Sequence, residues 1–211
     1  MPDLPKESFT LKGGCFCSAI RYTITIPPLE DRPKIPSFPA REIFPPTETS
    51  SHMPMIGIDH CTSCRHAPGS IFECWAIIPQ SWITFSLLPN FTDHHQPSSP
   101  DDYINPTTLG VLKGEKEVLE STFLKHYVGN EHSNRTFCGR CGTHLTFHFS
   151  GEQRPMSKKA GWGPILDVAV GTLDEESVGM EGFRPSYKAW VEEGIPWVKR
   201  LLEEGQKSLS D

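Results

Sequence analysis

Residues 13–22 read GGCFCSAIRY and residues 135–145 read RTFCGRCGTHL. Each holds a close pair of cysteines, Cys15 with Cys17 and Cys138 with Cys141. A third pair, Cys61 with Cys64, sits between them in the segment IGIDHCTSCRHAPGSIFECW. Thiolates two or three positions apart grip an ion from a single turn, and tetrahedral zinc takes four ligands. Three pairs therefore fill one four-thiolate site and leave a pair over. Cys17 and Cys138 are 121 residues apart, so an ion joining the outer pairs ties the first strand to a late one. Closing so long a loop restrains the unfolded chain strongly. We read Cys15, Cys17, Cys138 and Cys141 as a closed structural zinc site, although the spacing alone leaves open which pairs meet.

Composition supports metal over disulfide. The chain has 211 residues, 36% hydrophobic and 22% charged, with seven cysteines. That is the profile of a soluble globular protein, long enough for one substantial domain and with no need of a second. The first ten residues, MPDLPKESFT, lack the apolar core of a secretory signal, and no stretch approaches the roughly 20 apolar residues of a membrane span. A cytoplasmic location with reduced thiols is expected, and there paired cysteines read as metal ligands. A net charge of -6 and the lack of a basic run argue against a nucleic-acid partner. The sequence carries no signal for oligomeric state.

The 20 prolines and 17 glycines predict many turns and few long helices. In residues 11–26 the side chains Ile20, Tyr22, Ile24 and Ile26 alternate as one face of a strand. Residues 71–88 predict two strands broken at Pro79. Further strands are expected around Glu117–Tyr127, Thr143–Phe149 and Ile165–Val170. A short turn of helix is expected at Asp174–Val178, and the best helix is Trp197–Gly205. Residues 27–54, with eight prolines, and residues 89–110 are long excursions, either plain surface loops or ordered lids. Residues 151–164 read as a third loop. The whole predicts a single, mostly β domain with long loops and a short C-terminal helix.

The middle cysteine pair has an acidic neighbour. If residues 59–61 are extended, Asp59 and Cys61 point to one side and His60 to the other. Asp59, Cys61 and Cys64 then form three convergent ligands with a fourth position open, as at a catalytic zinc. Against this stands the simpler reading that Asp59 only shapes a turn. Arg65 is a candidate for binding an anionic substrate group or for steadying the knuckle. His66, His94, His95 and His144 are acid–base candidates beside a metal, set against the commoner structural or solvent-facing imidazole. Cys74 reads as a buried, inert thiol. Trp75, Trp82, Trp162, Trp190 and Trp197 read as core or pocket wall.

Taken in order, GGCFCSAIRY, HCTSCRHAPGS, RTFCGRCGTHL, LDVAVGTLDE and AWVEEGIPWVKRL resemble the blocks of the glutathione-dependent formaldehyde-activating enzyme family. That family includes the centromere protein V-like proteins. The resemblance implies an Mss4-like fold of antiparallel β-sheets around a structural zinc held by Cys15, Cys17, Cys138 and Cys141. It also implies a second zinc at a Cys-His-Cys-x-x-Cys run, where this chain has Asp59 in place of the first cysteine. Ser18 stands where the family usually has glycine.

The implied activity is that of a zinc-dependent carbon–sulfur lyase acting on a glutathione (thiol) adduct of a small carbonyl compound. Asp59, Cys61, Cys64 and Arg65 would form its active site. The carboxylate at position 59 and the long excursions keep a different isomerase, hydrolase or lyase activity of secondary metabolism in view. A non-catalytic, zinc-stabilised protein-binding module is the third expectation, since fold does not fix function.

Overall fold

The computed structural model describes residues 3–38, 41–91, 97, 99–150 and 155–208. The chain opens on a hairpin of β1 (Phe9–Gly14) and β2 (Ile20–Ile26), joined by the turn that carries Cys15 and Cys17. β5 (Ile83–Leu87) pairs antiparallel along the other side of β2 and completes a three-stranded sheet. The alternation read from the sequence is present. Ile20, Ile24 and Ile26 are fully buried, as is Tyr22 but for 2% of its surface.

A second sheet contains β3 (Met55–Asp59), β4 (Glu73–Pro79), β6 (Leu124–Val128), β7 (Ser133–Cys138), β8 (His144–Phe149), β9 (Ile165–Ala169) and β10 (Tyr187–Ala189). Their spatial order is β10-β3-β4-β9-β8-β7-β6, with β10 parallel to β3 and every other pair antiparallel. The period-2 alternation sorts its side chains onto two faces. Ala76 and Ile78 of β4, with Leu166 and Val168 of β9, join Ile24 and Phe85 of the small sheet in one core. Trp75, Ile77, Ile165 and Ala169 face the other way, into a second core with Met53, Trp162 and Tyr187. Every residue of β9 is buried, as expected for a strand covered on both faces.

The first long excursion supplies much of the second cover. Its described part holds short turns, among them a 3₁₀ turn at Leu29–Asp31, and isolated bridges, as the prolines require. Yet Ile35 and Met53 are buried in the second core, and the Trp162 indole donates to the Lys34 carbonyl at 2.8 Å. This stretch is packed structure rather than a plain surface loop.

Among the described residues, six short helices accompany the sheets: α1 (Thr62–His66), α2 (Thr108–Lys113), α3 (Lys116–Ser121), α4 (Pro155–Ala160), α5 (Glu175–Val178) and α6 (Pro196–Ser208). Three sequence expectations are corrected. The first half of the run Glu117–Tyr127 is α3, because Lys116, Glu117, Leu119 and Glu120 are better helix than strand formers. Only β6 remains as strand there. Residues 151–164 are not all loop, since α4 lies within them and its Ser157 is buried. The second excursion ends early, at Thr107, whose hydroxyl caps α2 by accepting from the Gly110 amide at 3.0 Å. No helix of the described residues is long and apolar enough to cross a membrane.

Gly13 sets how closely the small sheet meets the segment after β9. A Cβ there would lie 2.4 Å from the Tyr22 hydroxyl and 2.5 Å from the Thr172 carbonyl. Tyr22 and Thr172 are themselves joined through their hydroxyls at 2.6 Å. Gly13→Ala is therefore expected to cost about 2 kcal/mol by overpacking. The melting temperature should fall by about 4–8 °C in a thermal unfolding scan.

Candidate metal centre

Two clusters of ligating side chains form, one on each side of the large sheet. Cys15, Cys17, Cys138 and Cys141 bring their four sulfurs within 4.8 Å of one another. Cys15 and Cys138 belong to the core between the sheets, and Cys17 and Cys141 pack against it. The Cys15–Cys17 and Cys17–Cys138 sulfur separations are 3.6 and 3.7 Å. An ion bound tetrahedrally at about 2.3 Å holds its sulfurs about 3.8 Å apart. The cluster thus has the edge length of a four-thiolate site, and all seven cysteines are free of disulfides.

Local backbone geometry explains the convergence. The Ile20 amide donates to Cys15 Sγ at 3.2 Å, and the amides of Cys141 and Arg140 donate to Cys138. Gly142, at φ +78°, allows the turn after Cys141. Gly139 permits a close approach to the start of β6. Its amide bonds to the Phe123 carbonyl at 2.7 Å, and a Cβ would strike the Lys125 side chain at 2.7 Å. Ser18 sits at φ +60°, a left-handed conformation that glycine adopts with less strain.

The sulfurs share protons unequally. The Cys15 thiol donates to Cys138, which lowers Cys138 to about 5. The same bond, with burial, pushes Cys15 well up. A dication that displaces the remaining protons suits such a set.

The second cluster is Asp59, Cys61 and Cys64, whose ligating atoms also lie within 4.8 Å of one another. β3 ends at Asp59, the chain stays extended through Cys61, and Cys61 then caps α1 with its sulfur accepting from the Cys64 amide at 3.2 Å. Asp59 does both things the sequence allowed. Its Oδ1 accepts from the Cys61 amide at 2.7 Å and shapes the turn, while its Oδ2 lies 3.5 Å from Cys64 Sγ. The Cys64 thiol lowers Cys61 to about 7 by donating to it, and Cys64 itself is raised by that bond and by burial.

These three residues line a cleft of about 400 Å³. Its floor is a cross-strand row in which Arg135 of β7 stands opposite Phe147 of β8, and Phe147 opposite Asp167 of β9. The Arg135 guanidinium lies 4.7 Å above the Phe147 ring and donates to Cys64 Sγ at 3.7 Å. Trp190 and Glu193 stand at the rim, Trp190 in a left-handed conformation at φ +53° and half exposed. Glu193 accepts from the Thr62 amide at 2.8 Å, which lowers its pKa.

The other candidates fall elsewhere. Arg65 folds back on its own turn, donating to the His60 carbonyl at 3.3 Å and the Thr62 hydroxyl at 3.4 Å, and does not line the cleft. Its place is that of a knuckle brace, and the arginine at the cleft is Arg135. Sequence reading missed it because β-pairing alone brings it to Cys64, 71 residues away. His60 points away from the cleft and is buried, and burial lowers its pKa. His66 is exposed. His144 pairs with Glu73 at 3.4 Å. His94 and His95 lie outside the described residues. Burial pushes the Cys74 thiol up to about 12, as an inert thiol requires. Trp75 and Trp162 are core, Trp82 packs against it, and Trp197 is exposed on α6.

No protein-family model matches the chain, and neither does any curated protein at a significant level.

The two clusters should separate by mutation. Cys138→Ser is expected to lower the melting temperature strongly, because a buried member of the cluster between the sheets is lost, whereas Cys61→Ser leaves thermal unfolding nearly unchanged. In metal-free protein, alkylation of Cys61 by iodoacetamide should rise as pH increases through about 7, since the thiolate is the nucleophile. Peptide mapping at pH 7 should find Cys61 modified ahead of Cys64 and Cys74.

Proposed function

We propose that this chain is a zinc-dependent enzyme acting at a carbonyl carbon or its thiol adduct, on an Mss4-like domain. Cys15, Cys17, Cys138 and Cys141 hold a structural zinc, and Asp59, Cys61 and Cys64 hold a catalytic one. One observation carries this reading: three ligating groups, one short of a tetrahedral set, converge on the wall of a 400 Å³ cleft. The outer cluster already has its four ligands.

When bound at the three-ligand centre, zinc supplies Lewis acidity at an open position, for a carbonyl oxygen or a thiolate. The chain's own residues set the terms of that chemistry. Asp59 keeps one oxygen on the Cys61 amide, so only the other is offered as a ligand. A carboxylate donates less charge than a third thiolate and leaves the centre more electrophilic. Arg135 contributes a positive charge beside Cys64 and offsets part of the negative charge of the ligand set. Phe147 and Trp190 narrow the cleft and limit water. Addition of a thiol to a carbonyl forms the carbon–sulfur bond and moves the thiol proton to the oxygen; the lyase direction reverses both. Asp59 would serve either as a ligand or as the general base for that proton.

The charge of the cleft favours a second reading of the substrate. Asp59, Asp167 and Glu193 line it against the single guanidinium of Arg135. Glutathione brings two carboxylates and one ammonium, and finds few partners there. A neutral carbonyl compound with a planar face, laid against Trp190, matches the lining better. This supports the isomerase, hydrolase or lyase reading with the same centre.

Metal analysis under conditions that spare weak sites should return two zinc ions per chain, and Asp59→Ala should return one. The loss of affinity at that centre should exceed the about 10–100-fold typical of a supporting residue. A single zinc in the parent protein would overturn the catalytic centre. Asp59→Cys gaining activity on glutathione adducts that the parent lacks would assign the parent to the second reading.

A further inference from the structure

The end of β3 has a reverse side. Ile58 and His60 alternate with Asp59 and Cys61, and they line a separate cavity of about 280 Å³. Phe44, Val191 and Leu202 give it an apolar wall, with Leu202 contributed by α6. Three cations also line it, Arg184, Lys188 and Lys199, against the one carboxylate of Glu203. Among the described residues none of these cations makes an ion pair. Arg184 instead lies over the Phe44 ring at 5.4 Å.

A buried imidazole forms part of the cavity wall. His60 is only 3% exposed, and its Nδ1 has no hydrogen-bond partner. A Cβ on Gly194 would meet the His60 ring at 3.1 Å and the Lys199 stem at 3.0 Å. The imidazole and the lysine stem therefore lie together beneath Gly194. An apolar cavity with a few polar groups is the usual form of a small-molecule site. Unpaired cations on a low-dielectric wall select an anion for it.

We propose that this cavity binds a compact, apolar carboxylic acid. The hydrocarbon part lies against Phe44, Ile58 and Leu202, and the carboxylate meets Lys188 and Lys199. The site is distinct from the metal cleft and does not depend on the enzymatic reading above.

Isothermal titration calorimetry of the full chain with hexanoate, benzoate, hexan-1-ol and hexylamine tests this. Hexanoate and benzoate should bind saturably, and more tightly than the alcohol or the amine. The double variant Lys188→Met, Lys199→Met should weaken hexanoate binding about tenfold or more, and tenfold corresponds to about 1.4 kcal/mol. Its affinity for hexan-1-ol should be unchanged. Leu202→Trp should fill the cavity and abolish binding of both. Both lysines are partly exposed, so the double variant decides the matter even if Leu202→Trp fails to fold. Absence of saturable binding, equal affinity for hexanoate and hexylamine, or hexanoate affinity unchanged in the double variant would overturn the proposal.

Discussion

Four sulfur atoms from two turns, 121 residues apart at their nearest, meet within 4.8 Å. Most of the architecture follows from that meeting. Cys15 and Cys17 sit in the turn of the first hairpin, while Cys138 and Cys141 lie at the end of β7 in the other sheet. Their convergence holds the small sheet against one face of the large one, with the main core between. Core burial supplies the larger share of the stability, at about 1.5–3 kcal/mol for each fully buried aliphatic or aromatic side chain. The sulfurs lie where the two surfaces meet. Buried thiols this close demand either shared protons or a cation, and the opposite displacements of Cys15 and Cys138 show how the protons are shared without one.

The opposite face of the large sheet carries the second core and, beside it, the cleft. Asp59, Cys61 and Cys64 stand there, beside a row of side chains that successive antiparallel pairings bring from β7, β8 and β9. The result combines a rigid floor with donors held on a short turn. The same alternation that aims Asp59 and Cys61 into the cleft sends Ile58 and His60 to the reverse side. One strand end thus borders two cavities of different character, one bearing carboxylates and thiols and the other apolar with cations.

Much of the fold was legible from local pattern. The cysteine pairs, the alternation in β2, the break at Pro79 and the C-terminal helix all depend on neighbours within a few positions. The strand expected at Glu117–Tyr127 shows the opposite case. Its residues carry both signals, and packing of Val118 and Leu119 on the core resolves them in favour of a helix followed by a strand. The 27–54 excursion was legible as irregular but not as a cover for the second core, because irregular backbone has no period to read.

The sequence by itself determined the ligand groups, since spacings of two and three residues bring side chains together whatever the rest of the chain does. Asp59, Cys61 and Cys64 are such a set, and so is each half of the four-cysteine cluster. Only the tertiary structure decided which halves join, that Arg135 rather than Arg65 stands at the cleft, and that carboxylates outnumber cations in its lining. Those features rest on the register between strands far apart in the chain. Register is set by burial of whole faces, a property no short segment carries.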